Sequence, residues 1–136
     1  MAKYVVTDAT LSINGTDVTS AVARAELTQT AAEVDVTDFG SGGTTEVIGG
    51  LKSGSLSFDI HQDYGTGAVS DVLKDLVGTI GTFVVTPNGT GVSSDNPSFT
   101  AEALVSTVTF VSGSVGDLAT ASYTFPTTGG ITIATA

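Results

Sequence analysis

The chain has one histidine, His61, in the stretch Ser57-Phe58-Asp59-Ile60-His61-Gln62-Asp63. Serine, carboxylate and imidazole there stand at alternate positions. These are the residue types of a hydrolase triad, in which a carboxylate orients an imidazole that takes the proton of a serine. The spacing argues against that chemistry. Apolar Leu56, Phe58 and Ile60 alternate with polar Ser57, Asp59, His61 and Asp63, which is the period of a strand with one buried face. Same-face neighbours on a strand are about 7 Å apart and project in parallel, so the three groups do not converge. The pattern describes a histidine on a solvated strand face or at an interface.

Other sources of chemistry fare no better. Glu33, Asp35 and Asp38 form a carboxylate cluster, but the Asp-x-Asp-x-Asp-Gly loop with a trailing Glu that holds calcium is missing. An acidic strand face is the simpler reading. The glycines between Gly40 and Gly50 precede Lys52-Ser53 at a spacing that does not make a phosphate-binding P-loop. With no cysteine, disulfides, thiolate catalysis and zinc-cysteine sites are ruled out. Asn14-Gly15-Thr16 and Asn88-Gly89-Thr90 match the glycosylation sequon, yet both read first as turns. The expectation is a protein that is not an enzyme and has no catalytic residue, no metal and no cofactor.

The elements that carry these residues are mainly strands. Leu11 and Ile13 lead into Asn14-Gly15, the strongest short hairpin signal, because both central residues need positive φ. A short edge strand is expected at residues 4–7. Residues 24–30 and 32–37 read as two extended segments, each with an acidic outer face. An irregular glycine-rich loop follows over residues 38–50, longer than most connections in a compact domain. After the strand around Phe58, Ala68, Val69, Val72, Leu73, Leu76 and Val77 recur at helical spacing, opposite Asp71, Lys74 and Asp75. That predicts one amphipathic helix over residues 68–77, with Thr66 or Ser70 as N-cap and Gly78 as the left-handed C-terminal residue. A strand through Phe83 ends at Pro87-Asn88-Gly89. Residues 99–111 read as a long strand with a bulge near Leu104-Val105. Ala121, Tyr123 and Phe125 mark the return strand, which Pro126 and Gly129-Gly130 end before a last short strand at Ile131 and Ile133. Phe58, Leu73, Leu76, Phe83 and Tyr123 are the expected contact between helix and sheet.

Composition bounds what such a fold can do. The 136 residues suggest one domain, and 17 glycines with abundant Thr, Ser and Val suit a β-rich chain. Fourteen acids against four bases give a net charge of -10, which disfavours phosphate-backbone and anionic-membrane binding. Most of the aromatics fall in strand-core phase, and they offer no stacking platform for bases. No apolar run is long enough to span a bilayer, and the first residues lack the apolar core of a signal peptide, so cytoplasmic synthesis is expected. Charged residues are only 13%, which leaves strand edges with little protection against edge-to-edge pairing.

Several strings resemble the major tail tube protein of long-tailed, non-contractile (siphovirus-type) bacteriophages. They are Val34-Asp35-Val36-Thr37-Asp38-Phe39-Gly40, Leu51-Lys52-Ser53-Gly54-Ser55-Leu56-Ser57-Phe58, the helical segment 68–77, and Thr86-Pro87-Asn88-Gly89. Further along come Ala103-Leu104-Val105, Val115-Gly116-Asp117-Leu118-Ala119-Thr120 and Tyr123-Thr124-Phe125-Pro126. The resemblance implies a mainly β, sandwich or barrel-like tail-tube domain over residues 1–136, with one helix packed on the sheet. It implies six-membered rings that stack into a tube in the virion tail, a channel through which DNA passes without specific binding. Itself, tape-measure, tail-terminator and tail-tip proteins are the implied partners, with no membrane and with synthesis in the host bacterial cytoplasm. On this reading Glu26, Glu33, Asp35 and Asp59 are candidates to face the lumen, with Glu33 and Asp35 favoured. Phe39, Glu46, Val47 and Ile48 are candidates for a loop that contacts a neighbouring subunit or ring. An immunoglobulin-like domain that some members append at the C-terminus is not seen. Two alternatives stay open: a monomeric β-sandwich binding module, and another virion part such as a head-tail joining or decoration protein.

Overall fold

The computed structural model describes residues 8–89 and 91–135; the strand expected at residues 4–7 lies outside them. The elements are β1 (Thr10–Ile13), β2 (Thr16–Asp17), β3 (Val22–Asp35), β4 (Val47–His61), α1 (Val69–Leu73), β5 (Ile80–Thr86), β6 (Ser98–Leu104) and β7 (Thr120–Ala134). Every strand pairing is antiparallel, in the order β2-β1-β5-β6-β7-β4-β3.

The sheet folds over at β7. Its first half pairs with β4, from His61–Thr120 to Ser55–Pro126. Its second half pairs with β6, from Ala103–Thr127 to Ser98–Ala134. A strand that changes partners in this way makes the corner of a sandwich. Ring contacts across the fold show the two layers facing each other. Phe83 of β5 lies 6.2 Å from Phe58 of β4 and 5.9 Å from Phe125 of β7, and Phe58 is 5.4 Å from Tyr123. Leu11, Ile13, Leu56, Ile60, Val69, Leu73 and Val105 complete a core shielded from water. The phenol of Tyr123 reaches out of it, donating to the Thr109 carbonyl at 3.1 Å and accepting from the Thr109 amide at 3.2 Å.

The Asn14-Gly15 hairpin forms as expected, with φ of 50° and 85°. The predicted core residues Phe58, Leu73, Phe83 and Tyr123 are buried, and Leu76 is partly so.

Four expectations need correction. The helix is only Val69–Leu73, not 68–77. Lys74 still donates to Ser70 four residues back, but Leu76 donates to Leu73 only three back, so the chain tightens into turns. Gly78, with φ 81°, ends them by donating to Val105. The N-cap is Ala68, which has no capping side chain; Asp71 instead accepts from the Gly67 amide at 2.8 Å. Val77 swings out to 49% exposure.

The long strand at 99–111 stops at Leu104. Beyond Ile80–Leu104 strand β5 offers no partner, and Val105 turns to donate to Thr79. The irregularity lies between Thr100 and Glu102 rather than near Leu104.

Pro126 and Gly129-Gly130 do not end the last strand, which is continuous for 15 residues. Pro126 sits where β7 leaves β4 for β6, a position where a missing N–H is tolerated. Gly129, with φ 74°, lies in the irregular stretch between the Glu102–Thr128 and Thr100–Thr132 pairs.

Finally, the two extended segments expected at 24–30 and 32–37 are one strand that ends at Asp35, and the loop is shorter than 38–50. Val47, Ile48, Gly49 and Gly50 belong to β4.

Candidate assembly surface

Paired side chains in an antiparallel ladder share a face. On the solvent face of β3, β4 and β7, the pairs Arg24–Asp59, Glu26–Ser57 and Thr28–Ser55 continue into Ser57–Thr124 and Asp59–Ser122. Hydroxyls dominate this surface. Its charges gather around Arg24, whose Nε lies 3.1 Å from Asp59 and whose Nη1 lies 3.3 Å from Glu26. Its Nη2 donates to Ser57 Oγ at 2.6 Å. Asp59 is held below the ordinary carboxylate range, first by the Ser122 hydroxyl across the ladder and then by Arg24.

So the structure brings Glu26 and Asp59 together and leaves Glu33 and Asp35 elsewhere. The ladder shifts register between Ala31–Lys52 and Glu33–Gly49, with two steps on β3 against three on β4. The extra residue is on β4, opposite Ala32, which is a β-bulge. β3 itself keeps alternating. Glu33 and Asp35 therefore follow Ala25, Leu27, Gln29 and Ala31 on the face opposite Glu26. The Asp35 carboxyl is held below its usual value by hydrogen bonds from Thr37. Arg24, Ser57 and Ser122 are the members of this surface that the sequence reading passed over. Their signal was available, as a base and hydroxyls in phase with the two acids.

Beyond the Thr28–Ser55 pair, β3 and β4 leave the sandwich as a two-stranded arm, exposed along nearly all its length. Val34 is 44% exposed and its partner Ile48 55%, while Leu51 at the bulge reaches 88%. Phe39 at the tip is fully exposed. The tip is a built turn. Asp38 accepts from the Gly40 amide at 2.9 Å and Ser41 Oγ accepts from the Asp38 amide at 3.1 Å, a reciprocal capping box. Gly42 closes it with φ 67°. Below it, the Val36 amide donates to the Glu46 carbonyl at 2.9 Å and the Glu46 amide to Thr37 Oγ1 at 2.8 Å. Of the loop candidates, Phe39 and Glu46 are thus at the tip, whereas Val47 and Ile48 are strand residues paired with Asp35 and Val34.

Among the described residues, β3 is an edge of the sheet over all 14 of its residues. Residues 120–126 of β7 pair with β4 on one side, and among the described residues no strand pairs their other side. The sheet segment 3-4-7 thus presents two open edges.

No triad forms around His61. Asp59 is engaged by Arg24, and His61 Nδ1 is buried without a hydrogen-bond partner among the described residues. The Asp38 carboxylate is spent on the tip turn. Among the described residues, no three side chains of metal-binding type converge.

By sequence, the chain matches no protein-family model and no curated protein. By structure, it is similar to a chain in the virion of a native gene transfer agent particle, with a TM-score of 0.69 and 19% identity. That match covers 93% of this chain and 95% of the other. It is also similar to a chain in the tail of an empty gene transfer agent particle, determined with helical refinement and C6 symmetry. There the TM-score is 0.63 and the identity 19%, over 91% of this chain and 92% of that one. What the chain shares with these virion and tail components, over nine-tenths of its length, is the fold.

Proposed function

We propose that this chain is a structural subunit of a virion tail of the siphovirus type, six copies of which form a ring and whose rings stack into a tube for DNA. The observation that carries this reading is the pair of open edges on the 3-4-7 sheet segment. A 14-residue unpaired edge is an aggregation hazard in a monomer. Pairing the β3 edge of one copy with the open side of residues 120–126 of the next is a head-to-tail contact, which closes into a ring and covers both of these edges. The sixfold symmetry of the similar tail supports six as the number.

In such a ring the hydroxyl-rich face around Arg24, Glu26 and Asp59 lines the channel, because the opposite face is the core. Of the four lumen candidates, Glu26 and Asp59 belong to this wall, and Glu33 and Asp35 belong to the arm. A wall of hydroxyls with a small negative excess lets phosphates pass without holding them. The chain works without catalysis or cofactor, is made in the host cytoplasm, and meets tape-measure, tail-terminator and tail-tip proteins within the tail.

Sedimentation velocity across a concentration series at moderate salt tests the reading. Rings or longer assemblies that grow with concentration are expected. A single monomeric boundary at the highest concentration contradicts it and restores the binding-module alternative.

A further inference from the structure

At the foot of the arm the two layers of the sandwich part and leave an apolar groove of about 400 Å³. Leu27 of β3 forms one wall, and Val85, Phe99, Ile131 and Ile133 form the other. These are inward-facing positions of their strands: Val85 pairs with Phe99, and Phe99 with Ile133. The groove is thus an open end of the core, and Ile133 is left 61% exposed there.

We infer that this groove receives Phe39 from the arm tip of a second copy of the chain. The inference rests on the assembly reading above and names the receiving surface. Four observations support it. Phe39 is the one phenylalanine that is completely exposed, and its turn is already fixed by the Asp38–Ser41 capping box, so little ordering is needed when it docks. An apolar cavity of about 150 Å³ is enough to hold a benzene ring, and the groove is larger.

The Phe39 of the same copy cannot reach this groove. Gln29 lines it, and the six residue steps from Gln29 to Asp35 carry the tip about 20 Å away. The occupant, if it is Phe39, comes from another molecule, and a tip at one place with a receptor at another is a head-to-tail contact.

Charge also agrees. Lys52 pairs with Ala31, two residues beyond Gln29 on the groove side of the arm, and is the one described base without an ion pair. Asp38 and Glu46 flank Phe39 at the tip. In a chain of net charge -10, a contact that brings these acids to Lys52 offsets part of the repulsion between copies.

The absence of native cysteine makes a clean test. Single variants F39C and I133C are mixed, assembled and mildly oxidised, with V115C in place of I133C as control, since Val115 is fully exposed in a different loop. The expected product is a dimer linked through F39C and I133C, identified by mass spectrometry, with at least a tenfold excess over the V115C pairing. Assemblies that form normally but give no such excess overturn the docking inference and leave the assembly reading standing. Unsubstituted protein that stays monomeric in the centrifuge under the same conditions overturns both. A Y4C/I133C variant that closes a disulfide within one chain assigns the groove to the amino-terminal segment, and overturns the inference as well.

Discussion

Glu33 faces Gly49 across the β3–β4 ladder, where an unbroken register running from Ala31–Lys52 would give it Gly50. The slipped residue belongs to β4, so β3 passes the bulge without changing phase. Glu26 and Glu33, seven residues apart on one strand, therefore emerge on opposite faces. Gly50 suits the site, because a Cβ there would lie 2.9 Å from Val34 Cγ2 and 3.3 Å from the Ala32 carbonyl.

This split separates two effects of charge reversal. Lysines at Thr28 and Thr124, on the hydroxyl-rich face, are expected to leave the fold intact and to make assembled protein retain DNA. The retention should weaken steeply as salt rises. The E33K/D35K pair, on the other face of the arm, is expected to retain far less. A filter-binding assay on assembled protein reads the difference, and equal retention by both variants would place the channel wall wrongly.

Leu73 is fully buried on α1 against the core. Truncation to alanine is expected to cost about 2–5 kcal/mol, read as a lower denaturant midpoint with an unchanged slope. An unaltered midpoint would mean that the short helix is not part of the cooperative core.

Tyr123 satisfies both backbone groups of Thr109 through a single hydroxyl. Phenylalanine keeps the ring packing and strands those two groups, so Y123F is expected to lose about 1–3 kcal/mol. Chemical denaturation checks this, and a loss near zero would show that water replaces the phenol without penalty.

Much of this was readable in the residues. Alternation located the core strands, and Asn14-Gly15 located a hairpin whose φ angles follow directly from it. Helical spacing placed Leu73 on the buried side of its helix. Strand length was less readable, because it depends on partners that lie far away in sequence. Gly49-Gly50, Pro126 and Gly129-Gly130 read as terminators, yet each lies inside a strand where a ladder slips or changes partner. The side on which Glu33 emerges could not be read, since it depends on β3 keeping its phase from Arg24 to Asp35 while the slip falls on β4.

Asp59 links the wall to pH. Its carboxyl is lowered chiefly by Ser122 and less by Arg24. A folded-state value below the unfolded one stabilises the fold above the unfolded pKa, and that contribution is lost as pH falls through the folded one. In NMR titration of monomeric protein, Asp59 is expected to titrate below the ordinary aspartate value of about 3.9. S122A should raise its midpoint more than R24A does. The reverse order would make the ion pair, not the hydroxyl, the main support.

Removing residues 41–45 shortens the tip and leaves the ladder through Val34–Ile48 untouched. The shortened chain is expected to melt like the parent but to form rings that no longer stack. Normal tubes would reduce the arm to a spacer.

The central claim is closed association of identical subunits through the open edges of β3 and β7. End-on electron-microscope averages of concentrated protein measure it most directly. The account predicts rings with six equivalent units around a central channel. Monomers, or open aggregates without rotational symmetry, would contradict it.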